Sequence, residues 1–318
     1  MEQREFGRTG QRFSVLGYGA GAVGGLFVRG SAAEQEQALG TARDAGITYV
    51  DTAPAYGDGA SERHLGAALK ALGWSPILGT KVRLPPAARG DIAGAIAASL
   101  DASLSRLGRD SIDLLQLHDA IGGAEGYTVA QVLEEALPAL QRARAAGKCR
   151  WIGLTALGET AALRQVLAGG AFDAAQIPFN LLNPSWLAPR PTGLPGQDFE
   201  QLGVHSGLGL LGIRILAAGA LSGEAARHPI AMPQVAPIAS AADYATDLAH
   251  ARRLLPLVEA GVVASLAELA TRYAVFAPGM SCALIGTASL GQLEAALAAV
   301  AKGPLPAAAL ARIAELLA

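Results

Sequence analysis

The stretch YVDTAPAYGDGASERHLG, residues 49–66, opens as the end of a buried strand and closes as the start of a helix. Between those ends it carries Asp51, Tyr56 and Asp58, spaced by Pro and Gly. An apolar, β-rich run, a polar turn and then helical spacing make one β-then-α unit. Its acid and its tyrosine therefore stand at the mouth of a strand.

The same unit recurs along the chain. Strands are expected at 13–19, 47–52, 76–82, 111–118, 150–155, 173–179, 208–216 and 282–287. Helices are expected at 32–45, 60–72, 91–107, 129–147, 158–169, about 198–206, 241–260 with 265–277, and 290–301. Ser31 with Glu34, and Ser265 with Glu268, fit the capping box, in which each side chain satisfies an orphan backbone N–H. Gly46, Gly73, Gly108, Gly147 and Gly169 stand where helices should stop, the place of left-handed caps. The strand runs are almost continuously apolar, which suits parallel strands covered on both faces. Eight such units with no break in composition predict an α/β fold. They make one (β/α)8 TIM barrel domain over residues 1–318, with 306–318 as an extra C-terminal helix on its outside.

Composition agrees. Of 318 residues, 51% are hydrophobic and 16% charged, enough apolar surface for a large core and too much for a disordered chain. A net charge of −2 supplies no positive field for nucleic acid or an anionic membrane. The opening MEQREFGRTGQ is charged and has no apolar signal region. The most apolar long run, 206–223, holds Arg214 and several glycines, which argues against a membrane span. Cys149 and Cys282 lie in separate apolar runs and read as buried reduced thiols. A cytoplasmic protein acting on a small molecule is expected, with the oligomeric state open.

Residues 19–24, GAGAVG, match G-x-G-x-x-G after a strand, the pattern that wraps a pyrophosphate in Rossmann folds. Here no helix opens at the third Gly; the capping box at Ser31 marks a later start. The reading adopted is a Gly-rich turn above strand one, with Gly19 and Ala20 close to a ligand. Two segments, 180–198 and about 217–240, are too long for simple connections and follow strand ends, where loops shape a site.

In a barrel, residues at C-terminal strand ends converge on one bowl. Strand two supplies Asp51 and its loop Tyr56, strand three supplies Lys81, and strand four ends in His118. A buried lysine needs an acid, and Asp51 is on the neighbouring strand. A free tyrosine titrates near 10, and a lysine cation against its hydroxyl favours the phenolate. With His118 bonding the carbonyl oxygen, the set suits proton delivery as charge develops there, or the reverse for an alcohol. No protein nucleophile is required; a hydride carrier is.

YVDTAPAYGDGASERHLGAAL, GTKV, RLGRDSIDLLQLH and WIGLT resemble the motifs of the aldo-keto reductases, in order, from about residue 4 to 302. The resemblance implies a barrel without a Rossmann domain and an extended nicotinamide cofactor. It also implies Tyr56 as proton donor, assisted by Asp51, Lys81 and His118. His118–Asp119 and GLTAL look closer to the aldose and galactose dehydrogenase branch. By the same resemblance Asp51, Thr155, Gln176, Arg214 and Leu216 bind cofactor, and Gly286, Thr287, Ser289 and Gln292 form a phosphate loop at a helix N-terminus. Ala156 replaces the Asn that follows Thr155 in the family, and Ile213 its stacking Tyr, so the stacking is either lost or supplied by Phe179. Ala288 stands for the Arg that takes an adenosine 2′-phosphate, and Ala296 for an adenine-side Asn. NADP(H) is expected, with NAD(H) open.

Other residues read more quietly. Glu62 caps or pairs with Arg63, with lining the bowl as its alternative, Asp113 is structural, Arg214 has a structural ion pair as its alternative, and Trp186 covers a substrate or packs a loop. His64, His205, His228 and His250 have no ligand spacing, so no metal is expected. The function expected is an oxidoreductase acting on an aldehyde, ketone or sugar. The alternatives are an aldose 1-dehydrogenase and, in another class, a cofactor-sensing binding module on the same fold.

Overall fold

A computed structural model of the chain describes residues 1–204 and 206–318; His205, set aside above as a ligand, lies outside the described residues. Eight parallel strands close into a barrel: β3 (Leu16–Gly19), β4 (Tyr49–Asp51), β5 (Ile77–Val82), β6 (Ile112–Leu117), β7 (Cys149–Thr155), β8 (Ala174–Pro178), β9 (Gly209–Ile213) and β10 (Cys282–Ile285), which returns to β3. They are the expected strands, trimmed at their ends. Helices α2 (Ala32–Asp44), α3 (Ala60–Ala71), α4 (Ile92–Leu107), α5 (Leu137–Ala145), α6 (Thr160–Ala168), α9 (Leu266–Val275) and α10 (Leu290–Ala301) follow strands in the alternation the periodicity implies. Leu39, Leu65, Leu69, Ile96, Leu100 and Leu163 bury fully against the barrel, each contributing about 2 kcal/mol by transfer out of water. Among the described residues no helix is long and apolar enough to cross a membrane.

The expected strand at 13–19 is two elements. Phe13 belongs to β2 (Arg12–Ser14), which pairs antiparallel with β1 (Gln3–Glu5). This hairpin plugs the barrel floor: Phe13 stacks on Phe6 at 3.9 Å and lies 4.9 Å from Tyr49 inside the barrel. Gly209 keeps room for the plug, since a Cβ there would meet the Phe6 ring at 2.5 Å.

Other departures have local causes. The helix expected near 198–206 is absent over the described part; Glu200 and Gln201 have φ of 54° and 56°, which breaks helical continuation. The helix expected at 129–147 starts at 129 and widens into a π-helical stretch, Gln131–Ala136, just before Pro138, which has no N–H to give back along the chain. The region 241–260 divides into α7 (Tyr244–Arg252) and α8 (Leu255–Glu259). A further short helix, α1 (Leu26–Arg29), follows the Gly-rich turn. Ser31 and Glu34 form the full capping box, whereas Ser265 accepts from Glu268 N but the Glu268 carboxylate bonds Ala264 N instead of the cap. Gly46, Gly73, Gly108 and Gly147 are left-handed; at the end of α6 that role passes from Gly169 to Gly170, with φ of 59°. The last helix, α11 (Ala307–Leu317), packs Ala309, Ile313 and Leu317 against the outside of the barrel.

Candidate active site

Asp51 closes β4 and gathers four donors. Lys81 Nζ, from β5, is ion-paired to Oδ2. Oδ1 accepts from Tyr49 Oη at 2.9 Å, from Gln176 Nε2 at 2.6 Å and from Gln116 Nε2 at 3.2 Å. The register makes this possible. Asp51 stands opposite Gly79, and Lys81 opposite Gln116, so residues two apart on each strand share the inner face. Gly79 must lack a side chain, because a Cβ there would lie 2.1 Å from the Tyr49 oxygen.

The pair is buried, with Asp51 3% and Lys81 0% exposed, so neither charge survives without the other. Burial alone would push the Lys81 ammonium down. The Asp51 charge, the Tyr56 phenol and hydrogen bonds to both outweigh it, and the net direction is upward. Lys81 also donates to Thr52 O at 2.9 Å. Burial and the Asp51 carboxylate push the Tyr49 phenol well up, so it stays a donor.

Tyr56 is returned over this pair by a tight loop. Gly57, Asp58 and Gly59 have φ of 61°, 50° and 75°, a left-handed run that Gly and Asp tolerate. Lys81 Nζ lies 5.0 Å from the Tyr56 ring centroid. The ring stands edge-on to His118, centroids 6.4 Å apart and planes at 88°. His118 follows β6, its N–H tied to Val82 O at 2.8 Å, and its Nδ1 lies 2.7 Å from Thr155 Oγ1. Burial, followed by the charges of Lys81, Arg83 and Arg214, pulls the imidazole down to about 3. It is neutral at physiological pH.

Tyr56, Asp51 and His118 line one end of a cavity of about 800 Å³ that reaches across the strand ends to α10 and Lys302. Gly19, Gln176, Arg214, Leu216, Gly286, Thr287 and Gln292 are on its wall; Ala20, Thr155 and Ser289 are not. Thr287 Oγ1 bonds Tyr18 Oη at 3.0 Å, and the Gly-rich turn packs on the Thr287 backbone, where a Cβ on Gly24 would come within 2.5 Å. Ser289 caps α10 and accepts from Gln292 N, while Gln292 Oε1 accepts from Ala288 N at 2.7 Å.

Arg214 sits just past β9 with φ of 59°, and its Nη1 donates only to Ala236 O at 3.3 Å. Arg227 bonds Met232 O and Ala218 O, each at 2.7 Å. Among the described residues neither guanidinium pairs with a carboxylate, so the ion pair considered for Arg214 is absent. Arg83 on the same wall is likewise without a carboxylate partner among the described residues, and cations on the cavity wall, with proton-active groups at one end, fit an anionic dinucleotide.

Several other residues resolve. Glu62 pairs with Arg106 at 2.6 Å and accepts from Thr80 at 2.6 Å; Arg63 instead donates to Asp58 O. Asp113 accepts from Leu78 N and Arg150, a structural role. Trp186 is wholly buried and stacked 4.7 Å from Phe199, packing the long loop. Phe179 stacks on Tyr273 at 5.8 Å rather than over the cavity. Cys149 and Cys282 are free and buried. Tyr49 and Gln116 are two partners of Asp51 that the strand-end pattern does not mark. The signal was there: each lies two residues before a named site residue in an apolar strand, and so shares that residue's side of the strand.

A closed parallel barrel with these groups at the C-terminal strand ends has the architecture of an oxidoreductase without a Rossmann domain. The aldo/keto reductase family model matches residues 15–318, and the chain belongs to that family of NAD(P)-dependent oxidoreductases. It is 31% identical to an L-galactose dehydrogenase of Arabidopsis thaliana over 311 residues, covering 94% of this chain and 88% of the relative. It is 36% identical to a D-threo-aldose 1-dehydrogenase of a Pseudomonas species over 183 residues, 50% of this chain and 54% of the relative. An aldo-keto reductase from Bacillus halodurans, solved in its holo form, superposes with a TM-score of 0.73. That comparison covers 100% of this chain and 97% of the other at 23% identity, and carries the fold.

Proposed function

We propose that the chain, acting as one domain in the cytoplasm, transfers hydride between a nicotinamide cofactor and the carbonyl or hemiacetal carbon of a sugar. Tyr56 is the proton donor. The observation that carries this is the buried chain from Asp51 through Lys81 to the Tyr56 ring, with neutral His118 on the ring's edge. Sugar enters as the substrate class because both dehydrogenase relatives are named for sugars.

A nicotinamide bound in the cavity supplies or takes the hydride. Gln176, Arg214, Leu216, Gly19 and the 286–292 loop would hold the dinucleotide, with Arg214 and Arg227 facing its phosphates. In reduction, as the carbonyl oxygen gains the electron pair, the Tyr56 O–H gives it a proton. The Lys81 ammonium then lies beside the new phenolate. His118, neutral in this setting, carries no imidazolium proton to transfer and donates a hydrogen bond to the same oxygen. In oxidation the proton runs from hydroxyl to Tyr56.

The nucleotide choice follows from charge. Lys302 on the cavity wall is tied to Glu268 at 2.7 Å, and Ala288 carries no charge. With Lys302 engaged by Glu268 and no charge at position 288, NAD(H) is expected to bind at least as tightly as NADP(H). The test is titration of the pure protein with both nucleotides, followed by turnover on L-galactose, other free aldoses and glyceraldehyde. Oxidation of a free aldose supports the reading. Bound nucleotide with no turnover across that panel would make the chain a cofactor-sensing module instead.

A further inference from the structure

His118 is positioned by a residue that the sequence reading assigned to cofactor. Thr155 is fully buried on β7, away from the cavity wall, and among the described residues its hydroxyl has one hydrogen-bond partner, His118 Nδ1 at 2.7 Å. Only two arrangements satisfy that contact. If Nδ1–H donates, the Thr155 hydroxyl hydrogen is left buried without an acceptor, and Nε2 is a bare acceptor. If the Thr155 hydroxyl donates, every hydrogen is used and the imidazole proton sits on Nε2. Leaving a buried donor unpaired is the costlier state.

We propose that Thr155 is a positioning residue: its hydroxyl donates to His118 Nδ1 and so places the imidazole proton on Nε2, ready for the substrate oxygen. The proposal rests on the reading of His118 as the group that orients that oxygen. The edge of Tyr56 stands beside the ring, the charges that act on it are those of Lys81, Arg83 and Arg214, and among the described residues no carboxylate acts on it to hold a second proton. With one proton to place, the tautomer decides whether His118 meets a carbonyl as donor or as acceptor. The Thr155–Gln176 register fixes the hydroxyl on the strand beside β8, so the contact is built into the barrel.

The test is 15N NMR of the full chain labelled at histidine, with His118→Asn to identify the His118 signals, alongside kinetics on the best sugar substrate. The wild type should show a neutral imidazole protonated at Nε2. Thr155→Val should lose that preference and lower kcat by about tenfold, part of the loss that follows removal of an oxyanion donor. Thr155→Ser should restore both, and the nucleotide Kd should be unchanged in either variant. A wild-type imidazole protonated at Nδ1, or Thr155→Val with the tautomer intact, overturns the proposal. So does a kcat loss accompanied only by weaker nucleotide binding. The NMR readout needs no turnover, so an inactive protein would sink the functional reading and leave this one measurable.

Discussion

The Lys81 ammonium lies 5.0 Å from the centre of the Tyr56 ring while ion-paired to Asp51, so one cation joins a buried acid to a cavity-facing phenol. Both ends matter. The acid keeps the lysine charged out of water, and in the proposed function the lysine places that charge beside the phenol oxygen that gives up the proton.

Replacing Lys81 with Met should therefore do two kinds of damage. It strands the Asp51 charge in the core, a loss of about 3 kcal/mol or more, softened by the donors on Tyr49, Gln116 and Gln176. It also removes the positive charge beside Tyr56 and should lower kcat by about 100-fold or more. Denaturant unfolding and steady-state kinetics measure the two effects separately.

His118 gives a pH signature. Its folded-state value, pulled from 6.5 down to about 3, means the unfolded chain takes up a proton there before the folded one does. Stability is full above pH 6.5 and falls as pH drops toward 3. His118→Asn should lose less stability than the wild type over that window, as measured by urea unfolding at stepped pH. The wild type should show no step in kcat/KM near 6.5 from this group.

Glu62 offers a test away from the cavity. Its carboxylate is wholly buried between Thr80 and Arg106. Glu62→Ala leaves a buried hydroxyl without its acceptor and should cost about 1–3 kcal/mol, seen as a lower unfolding midpoint. Nucleotide affinity should stay as it is.

Much of this was readable from the sequence where a single physical pattern decided it. Apolar runs alternating with helical spacing placed all eight barrel strands, and polar residues at their ends marked Asp51, Lys81 and His118. What escaped depended on distant contacts. Phe13 looks like part of the first barrel strand until Phe6 and Tyr49 claim it for the floor. Glu62 has Arg63 beside it in sequence, yet α3 turns it inward to an arginine on α4. Trp186 could have faced a substrate or a loop, and only the stacking on Phe199 decides it. Gln116 and Tyr49 were hidden because a polar side chain midway along a strand looks like an exception until a buried carboxylate explains it.

The most direct measurement on the central claim is single-turnover hydride transfer by Tyr56→Phe, with nucleotide affinity measured on the same preparation. The account predicts a rate lower by about 1,000-fold or more with nucleotide Kd nearly unchanged. A phenylalanine enzyme that turns over its sugar at the wild-type rate would contradict it.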